Sequence, residues 1–229
     1  MTKLGVDFNR TDVKRTVNYI DLITEYSGSI NLVGNANFNN LATRHLFDSL
    51  AAFKFLTGHN IKEVIDVGSG AGFPGLPLAI FVGSLNFTLV ESNIKKSDFL
   101  KTVIDLIGIK NATILNDRAE NLGRLAEYRE KFDVAMARAL AKTPTSLELL
   151  SSLAKVNGYV MLFKSRRVLE DVIQYSVAAY KLGLQQDTVM DVDVPELQEK
   201  RALLIYRKIT PIAHKYPRKP GIPKKRPIT

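Results

Sequence analysis

Asp66, Gly68, Gly70 and Gly72 alternate with Val67, Ser69 and Ala71 to form the densest chemical signal in the chain. An apolar run from Val64 to Val67 stops there, and a second apolar stretch, Leu76 to Phe81, follows. Strand, glycine turn and helix in that order form a nucleotide-binding crossover, in which the main chain turns tightly and a ligand approaches the backbone. Gly70, Gly72 and Gly75 also satisfy the dinucleotide pattern G-x-G-x-x-G. A pyrophosphate is poorly served by a carboxylate at the strand tip, whereas a ligand carrying an ammonium group is well served. S-adenosylmethionine has an amino-acid end and no phosphate, so Asp66, Gly68, Gly70 and Gly72 favour it as cofactor. Pro74 is expected at the first helical position, where its missing N–H costs nothing.

Other polar residues fall where later strands end. Glu91 closes the second strand, Asp117, Ala119 and Glu120 follow the third, Arg138 the fourth and Lys164 the fifth. In open α/β sheets a ligand lies beyond the carboxyl ends of the strands, so these aligned ends describe a cleft. Glu91 lies at the distance from the glycine turn where an acid accepts a ribose diol, and its charge disfavours a 2′-phosphate. Phe73 is expected to cover the cofactor, with Ala119 and Glu120 at the adenine edge. Arg138 has a competing role as ion-pair partner of Asp117 or Glu120.

The elements that position these residues follow from periodicity. Asn9 to Tyr26 reads as a helix capped by Thr11, with Val13, Val17, Ile20 and Ile23 facing inward. Leu41 to Leu56 reads as another, with Leu46, Leu50 and Phe53 inward and Arg44 paired to Asp48 four residues on. From Glu63 strands and helices alternate. Strands are expected at Glu63–Val67, Phe87–Glu91, Ala112–Leu115, Phe132–Ala137 and Tyr159–Phe163. The helices between and after them are Pro74–Val82, Lys95–Ile107, Glu120–Leu125, Thr145–Lys155 and Val168–Leu182. Thr188–Val194 and Arg201–Tyr206 close the pattern as an antiparallel pair. The expected architecture is α/β: a mostly parallel sheet with an antiparallel edge behind an N-terminal helical extension. It divides as extension 1–60, sheet domain 61–210 and basic tail 211–229.

The chain of 229 residues is long enough for one full core. It has no cysteine and only three histidines, which excludes thiol catalysis and zinc thiolates and argues against a metal site. No apolar run approaches a membrane span, and the start lacks the apolar core of a signal peptide, so a cytoplasmic protein is expected. The net charge of +9 points to a polyanionic partner. Six of the basic residues, Lys215, Arg218, Lys219, Lys224, Lys225 and Arg226, crowd the tail, where no acid follows Glu199. That tail is expected to grip phosphates of a nucleic acid, and its removal to spare cofactor binding.

The run from Asp66 through Gly75 to Ala79, with Arg44-His45-Leu46-Phe47-Asp48-Ser49 upstream and Ala137-Arg138-Ala139 downstream, resembles the ribosomal RNA small-subunit methyltransferase G family, also called glucose-inhibited division protein B. The tail from Tyr216 to Ile228 is similar to that of many members, and one departure is visible: the usual Asn-Leu-Thr here reads Asn31-Leu32-Val33. The resemblance implies a Rossmann-like class I S-adenosylmethionine-dependent methyltransferase fold. It implies methyl transfer to N7 of a guanine in 16S ribosomal RNA, free or in the small ribosomal subunit. Carried onto matching positions, Gly68, Phe73, Ala119, Glu120 and Arg138 contact the cofactor, with Glu91 at its ribose. Guanine N7 carries a lone pair and no proton, so alignment alone suffices and no general base is required. Arg44, His45, Arg138 and Lys164 are the candidates to hold RNA and guanine, and the protein is expected to act as a monomer without metal or membrane. An NAD-dependent oxidoreductase would share the glycine turn and Glu91 but needs a proton-donating His or Tyr at the later strand ends, where Arg138 and Lys164 stand. A non-catalytic RNA-binding module would use the tail and leave the strand-end cluster without a purpose.

Overall fold

The computed structural model describes residues 5–166 and 172–228. Seven strands form one sheet in the order β3-β2-β1-β4-β5-β7-β6: β1 (Glu63–Val67), β2 (Asn86–Val90), β3 (Ala112–Leu115), β4 (Phe132–Arg138), β5 (Ala154–Ser165), β6 (Leu184–Val192) and β7 (Arg201–Lys208). The first five are mutually parallel, and β7 runs antiparallel to both β5 and β6. The order reverses between β1 and β4, so the chain leaves β1 and β4 on opposite sides of a crevice at their carboxyl ends. The antiparallel pair expected at the edge is present but begins earlier, at Leu184.

Strand alternation sends side chains to two covered faces. On one, Val64, Met136, Met161 and Phe163 pack with α1 (Arg10–Tyr26), α4 (Gly75–Phe81), α5 (Ile94–Ile107) and the segment 38–58. On the other, Ile65, Ala135, Ala137 and Leu162 pack with α6 (Ala119–Leu122), α7 (Thr143–Ser151) and α8 (Val172–Lys181), joined by Ile212, Tyr216 and Ile228 of the tail. The first residues of the helix expected from Val168, up to 171, lie outside the described residues. Every residue of α4 is buried, as a helix apolar on all sides must be.

Three local expectations are corrected. The N-cap of α1 is Asn9, whose side chain accepts from the Thr11 and Asp12 N–H groups while Asp12 reaches back to the Asn9 N–H. Its inward face is Thr16, Tyr19, Ile20 and Ile23; Val13 and Val17 are exposed. The helix expected over Leu41–Leu56 is broken into a short α2 (Phe38–Asn40), a π-type turn over Leu41–Phe47, a 3₁₀ turn at Leu50–Ala52 and α3 (Phe53–Gly58). Leu46, Leu50 and Phe53 still face inward. Pro74 precedes α4 rather than opening it, after a cis Phe73–Pro74 bond.

The Tyr19 hydroxyl donates to the Ala71 carbonyl at 2.8 Å, tying α1 to the glycine turn. Gly72 sits beneath this bond at φ +110, and a Cβ there would lie 2.6 Å from Leu76 and 2.7 Å from the Tyr19 oxygen. Gly72→Ala is therefore expected to cost about 2–5 kcal/mol from backbone strain and overpacking together, measured by chemical denaturation.

Candidate active site at the strand ends

Val67 and Val90 end adjacent parallel strands, and the chain then turns out of the sheet. The Gly68 and Ser69 N–H groups donate back to the Val90 carbonyl, which fixes the start of the turn. At Gly70 φ is +60 and the space beside Cα is open, so the backbone is presented to solvent where only glycine relaxes. The Gly70 N–H donates to Glu91 at 2.9 Å, and the other carboxylate oxygen accepts the Asn93 N–H at 2.7 Å. Glu91 thus sits at the end of β2 with its position set by main-chain donors from the turns after β1 and β2, and a carboxylate oxygen has a further lone pair for a hydroxyl.

A cleft of about 750 Å³, counting its space open to solvent, lies over this turn. Its walls include Gly68, Ser92, Ala119, Glu120, Leu140 and Thr145, with Lys224 from the tail. The small buried Ala119 and the apolar Val67, Val90 and Leu149 offer a surface suited to a flat ring, and Ser92, Asp117, Arg118, Glu120, Thr145 and Lys224 share the lining with polar groups. Glu120 accepts the Gly221 N–H at 3.0 Å and an Arg118 N–H at 3.3 Å. Burial pushes its carboxyl up, but these donors outweigh that and hold it below its ordinary value.

A second cluster lies on the α1 side of the sheet. Arg138, at the end of β4, donates to the carbonyls of Arg44 and His45, to Asp48 at 3.3 Å and to Nδ1 of His45 at 2.7 Å. Its guanidinium lies 5.2 Å from the centre of the Phe73 ring, against which His45 also packs at 4.9 Å. Asp48 takes Arg201 as well, through two bonds of 3.0 Å. The Arg44–Asp48 pair expected from helical spacing is replaced by these two, and Arg138 pairs with neither Asp117 nor Glu120. The reason is the π-type turn, which aims the Arg44 and His45 carbonyls and the Asp48 carboxylate at β4. After Arg138 the chain turns through Ala139 at φ +54, a strained conformation for alanine next to the cleft.

The two clusters divide the sequence-expected residues. Gly68, Ala119 and Glu120 line the cleft; Gly70 and Glu91 are not among its lining residues but adjoin them, Glu91 standing between Val90 and Ser92 and accepting the Gly70 N–H. Arg44, His45, Phe73 and Arg138 gather in the second cluster. Phe73 is buried between Tyr19 and His45 and does not cover the cleft. Asp66 is also buried: Oδ2 accepts the Gly75 N–H at 3.0 Å at the start of α4, and burial pushes its carboxyl up to about 7. Through that oxygen it anchors the turn from below, while Oδ1 has no hydrogen-bond partner among the described residues. Lys164 stands apart, because Arg138 registers with Phe163 and the next residue of β5 points to the opposite face. It is half-buried, and burial lowers its ammonium pKa.

Sequence reasoning missed Arg201, Leu140, Thr145 and the approach of Lys224 to the cleft. None carries a local motif; each arrives from a distant element. Among the described residues no group of acidic and histidine side chains could hold a metal ion, and no helix is long and apolar enough to cross a membrane.

The model of the rRNA small subunit methyltransferase G family matches residues 12–204. A ribosomal RNA small subunit methyltransferase G from Carboxydothermus hydrogenoformans is 34% identical over 99% of this chain and 96% of its own length. One from Oenococcus oeni is 37% identical over 92% of this chain and 87% of its own. Among solved structures, a SAM-dependent methyltransferase from Aquifex aeolicus has a TM-score of 0.54 at 19% identity, covering 74% of this chain and 93% of that one. The ribosomal protein L11 methylase of Lactobacillus delbrueckii has 0.52 at 18%, covering 71% and 77%. These two likenesses concern the fold. Seen with the glycine turn, the acid at the end of β2 and the cleft beside them, the match along most of its length shows that the chain belongs to the rRNA small subunit methyltransferase G family.

Proposed function

We infer that this protein transfers a methyl group to N7 of a guanine in 16S ribosomal RNA. Membership of the family supports this, and the single structural observation that carries it is the cleft at the strand ends lined by Gly68, Val90, Ala119 and Glu120, beside the bond that joins Gly70 to Glu91. S-adenosylmethionine, when bound there, supplies an electrophilic methyl group on a sulfonium sulfur. Glu91 accepts from the ribose hydroxyls, Gly68 lets the ligand lie against the main chain, and Ala119 and Glu120 form the adenine edge.

The second cluster supplies the guanine side. An arginine N–H donates to Nδ1 of His45, so Nδ1 is an acceptor and the proton of the neutral ring is on Nε2. Burial, and then the charge of Arg138, bring the His45 pKa down to about 4, with Asp48 opposing. His45 is consequently no base at neutral pH; it is a neutral donor. Guanine offers O6 and N7 as adjacent acceptors, and a donor that engages O6 leaves the N7 lone pair free to attack. Arg138 acts through His45, holding its tautomer and ring orientation, and the exposed Arg44 stands beside it for phosphate. Lys164, on the other face, is left to contact RNA outside this cluster. The N-terminal segment 1–60, the sheet domain and the tail work as one cytoplasmic monomer in this reading.

Incubation with labelled S-adenosylmethionine and unmodified small-subunit RNA or particles, followed by nucleoside analysis, is expected to give 7-methylguanosine; label in any other nucleoside would overturn the N7 assignment. Glu91→Ala is expected to weaken S-adenosylhomocysteine by tenfold or more in calorimetry, in line with the roughly 1.5–3 kcal/mol of a bond to a charged group. His45 is expected to titrate at about 4 in nitrogen-detected spectra and to stay neutral from pH 5 to 8. Its folded pKa lies below the ordinary 6.5, so its neutral form contributes stability that is complete above pH 6.5 and lost as pH falls towards 4. A midpoint near 6.5 would remove the donor role.

A further inference from the structure

The basic tail was expected to be peripheral to the cofactor. Instead it is woven into the cleft. Arg129 donates to the carbonyls of Ile212 and Tyr216 at 3.0 and 2.8 Å, which starts the tail along the α7 face. Arg218 then closes on the buried Glu148 of α7, its main-chain N–H at 2.8 Å and its guanidinium at 2.5 Å. The Gly221 N–H binds Glu120, and the Thr145 hydroxyl donates to the Pro223 carbonyl at 2.9 Å. Pro223 and Ile228 are buried. Both anchors, Glu120 and Thr145, line the cleft, and so does Lys224 of the tail, the residue after Pro223.

We propose that Tyr216–Ile228 is a wall of the cofactor cleft and that Lys224 is a cofactor-binding residue whose ammonium donates to a ring nitrogen of the adenine. This rests on reading the cleft as the S-adenosylmethionine site. An adenine ring presents acceptor nitrogens along its edges, and most of the wall around it, Val67, Val90, Leu140, Ala141 and Leu149, has no side-chain donor. Arg118, the other cation there, is engaged by Glu120. Among the described residues Lys224 forms no ion pair, and it is an exposed residue that lines the cleft, so its ammonium is available to a ligand there. A lysine donor held beside an apolar slot gains from the low local dielectric that the slot provides.

The test is calorimetric titration of S-adenosylhomocysteine into the full chain, with the thermal midpoint recorded for each variant. Lys224→Met keeps the aliphatic stem and loses the donor; about tenfold weaker binding at an unchanged midpoint is expected, with the KM for S-adenosylmethionine raised and kcat kept. Lys224→Arg is expected to recover most of the affinity. Gly221→Ala probes the wall separately: a Cβ there meets open space, but φ +82 disfavours it and displaces the N–H from Glu120. Several-fold weaker binding is expected. Wild-type affinity in Lys224→Met would overturn the role of Lys224, and wild-type affinity in Gly221→Ala would overturn the wall. A wild-type chain that bound no S-adenosylhomocysteine would instead sink the underlying reading of the cleft.

Discussion

The carboxylate of Asp48 holds three parts of the chain together. It lies buried between Arg138 at the end of β4 and Arg201 at the start of β7, while its own backbone belongs to the helical segment ahead of the sheet. Removing one partner of such a pair leaves an uncompensated buried charge, which typically costs about 3–5 kcal/mol. Burial lowers the Arg138 pKa, and the charge and hydrogen bond of Asp48 oppose that lowering. The consequence reaches the chemistry, because Arg138, once fixed, fixes the tautomer of His45 and lies over Phe73. Asp48 adds an ion pair to the bonds by which Arg138 already holds the Arg44 and His45 carbonyls against the end of β4.

The opposite side of the crevice is organised differently, by main-chain geometry. Asp66 binds the start of α4 from below and Tyr19 holds the Ala71 carbonyl, so the glycine turn is clamped from within the core. Glu91 clamps it from above through the Gly70 N–H. A ligand lying on this turn meets a backbone whose shape is already set, which lowers the ordering cost of binding. The two buried acids therefore hold the turn from opposite sides, Asp66 through the Gly75 N–H and Glu91 through the Gly70 N–H.

The tail shows how an apparently electrostatic segment acquires a packing role. Its basic residues read as a solvated phosphate grip, yet Arg218 is spent on Glu148 and Lys224 approaches the cleft. Lys224 is itself exposed, as are Lys215, Lys219, Lys225 and Arg226, which leaves these charges open to a polyanion. Lys208 makes the same point within the sheet. It is buried at the end of β7 and donates to Glu130, Ser151 and Ala154, closing the carboxyl end of α7 without any solvent role.

What the amino-acid order determined by itself was local. The glycine turn, the strands at Glu63–Val67 and Ala112–Leu115, the Gly108 end of α5 and the antiparallel close were all legible, because period-two and period-3.6 patterns and left-handed glycines act within a few residues. So was the acid at position 91, since its place at a strand end follows from the crossover. The partners of the charges were not. Arg138 and Arg201 meet Asp48 across 90 and 153 positions, and Gly221 meets Glu120 across 101. An Arg44–Asp48 pair is the natural expectation for a regular helix, and it failed because tertiary packing broke that helix and offered Asp48 two buried cations. The same holds for Phe73, whose aromatic ring suits a lid or a core equally well. Only the surrounding Tyr19 and His45 decided between them. Through-space pairing leaves no mark on local spacing, and so the second half of the site became visible only once the sheet had brought its ends together.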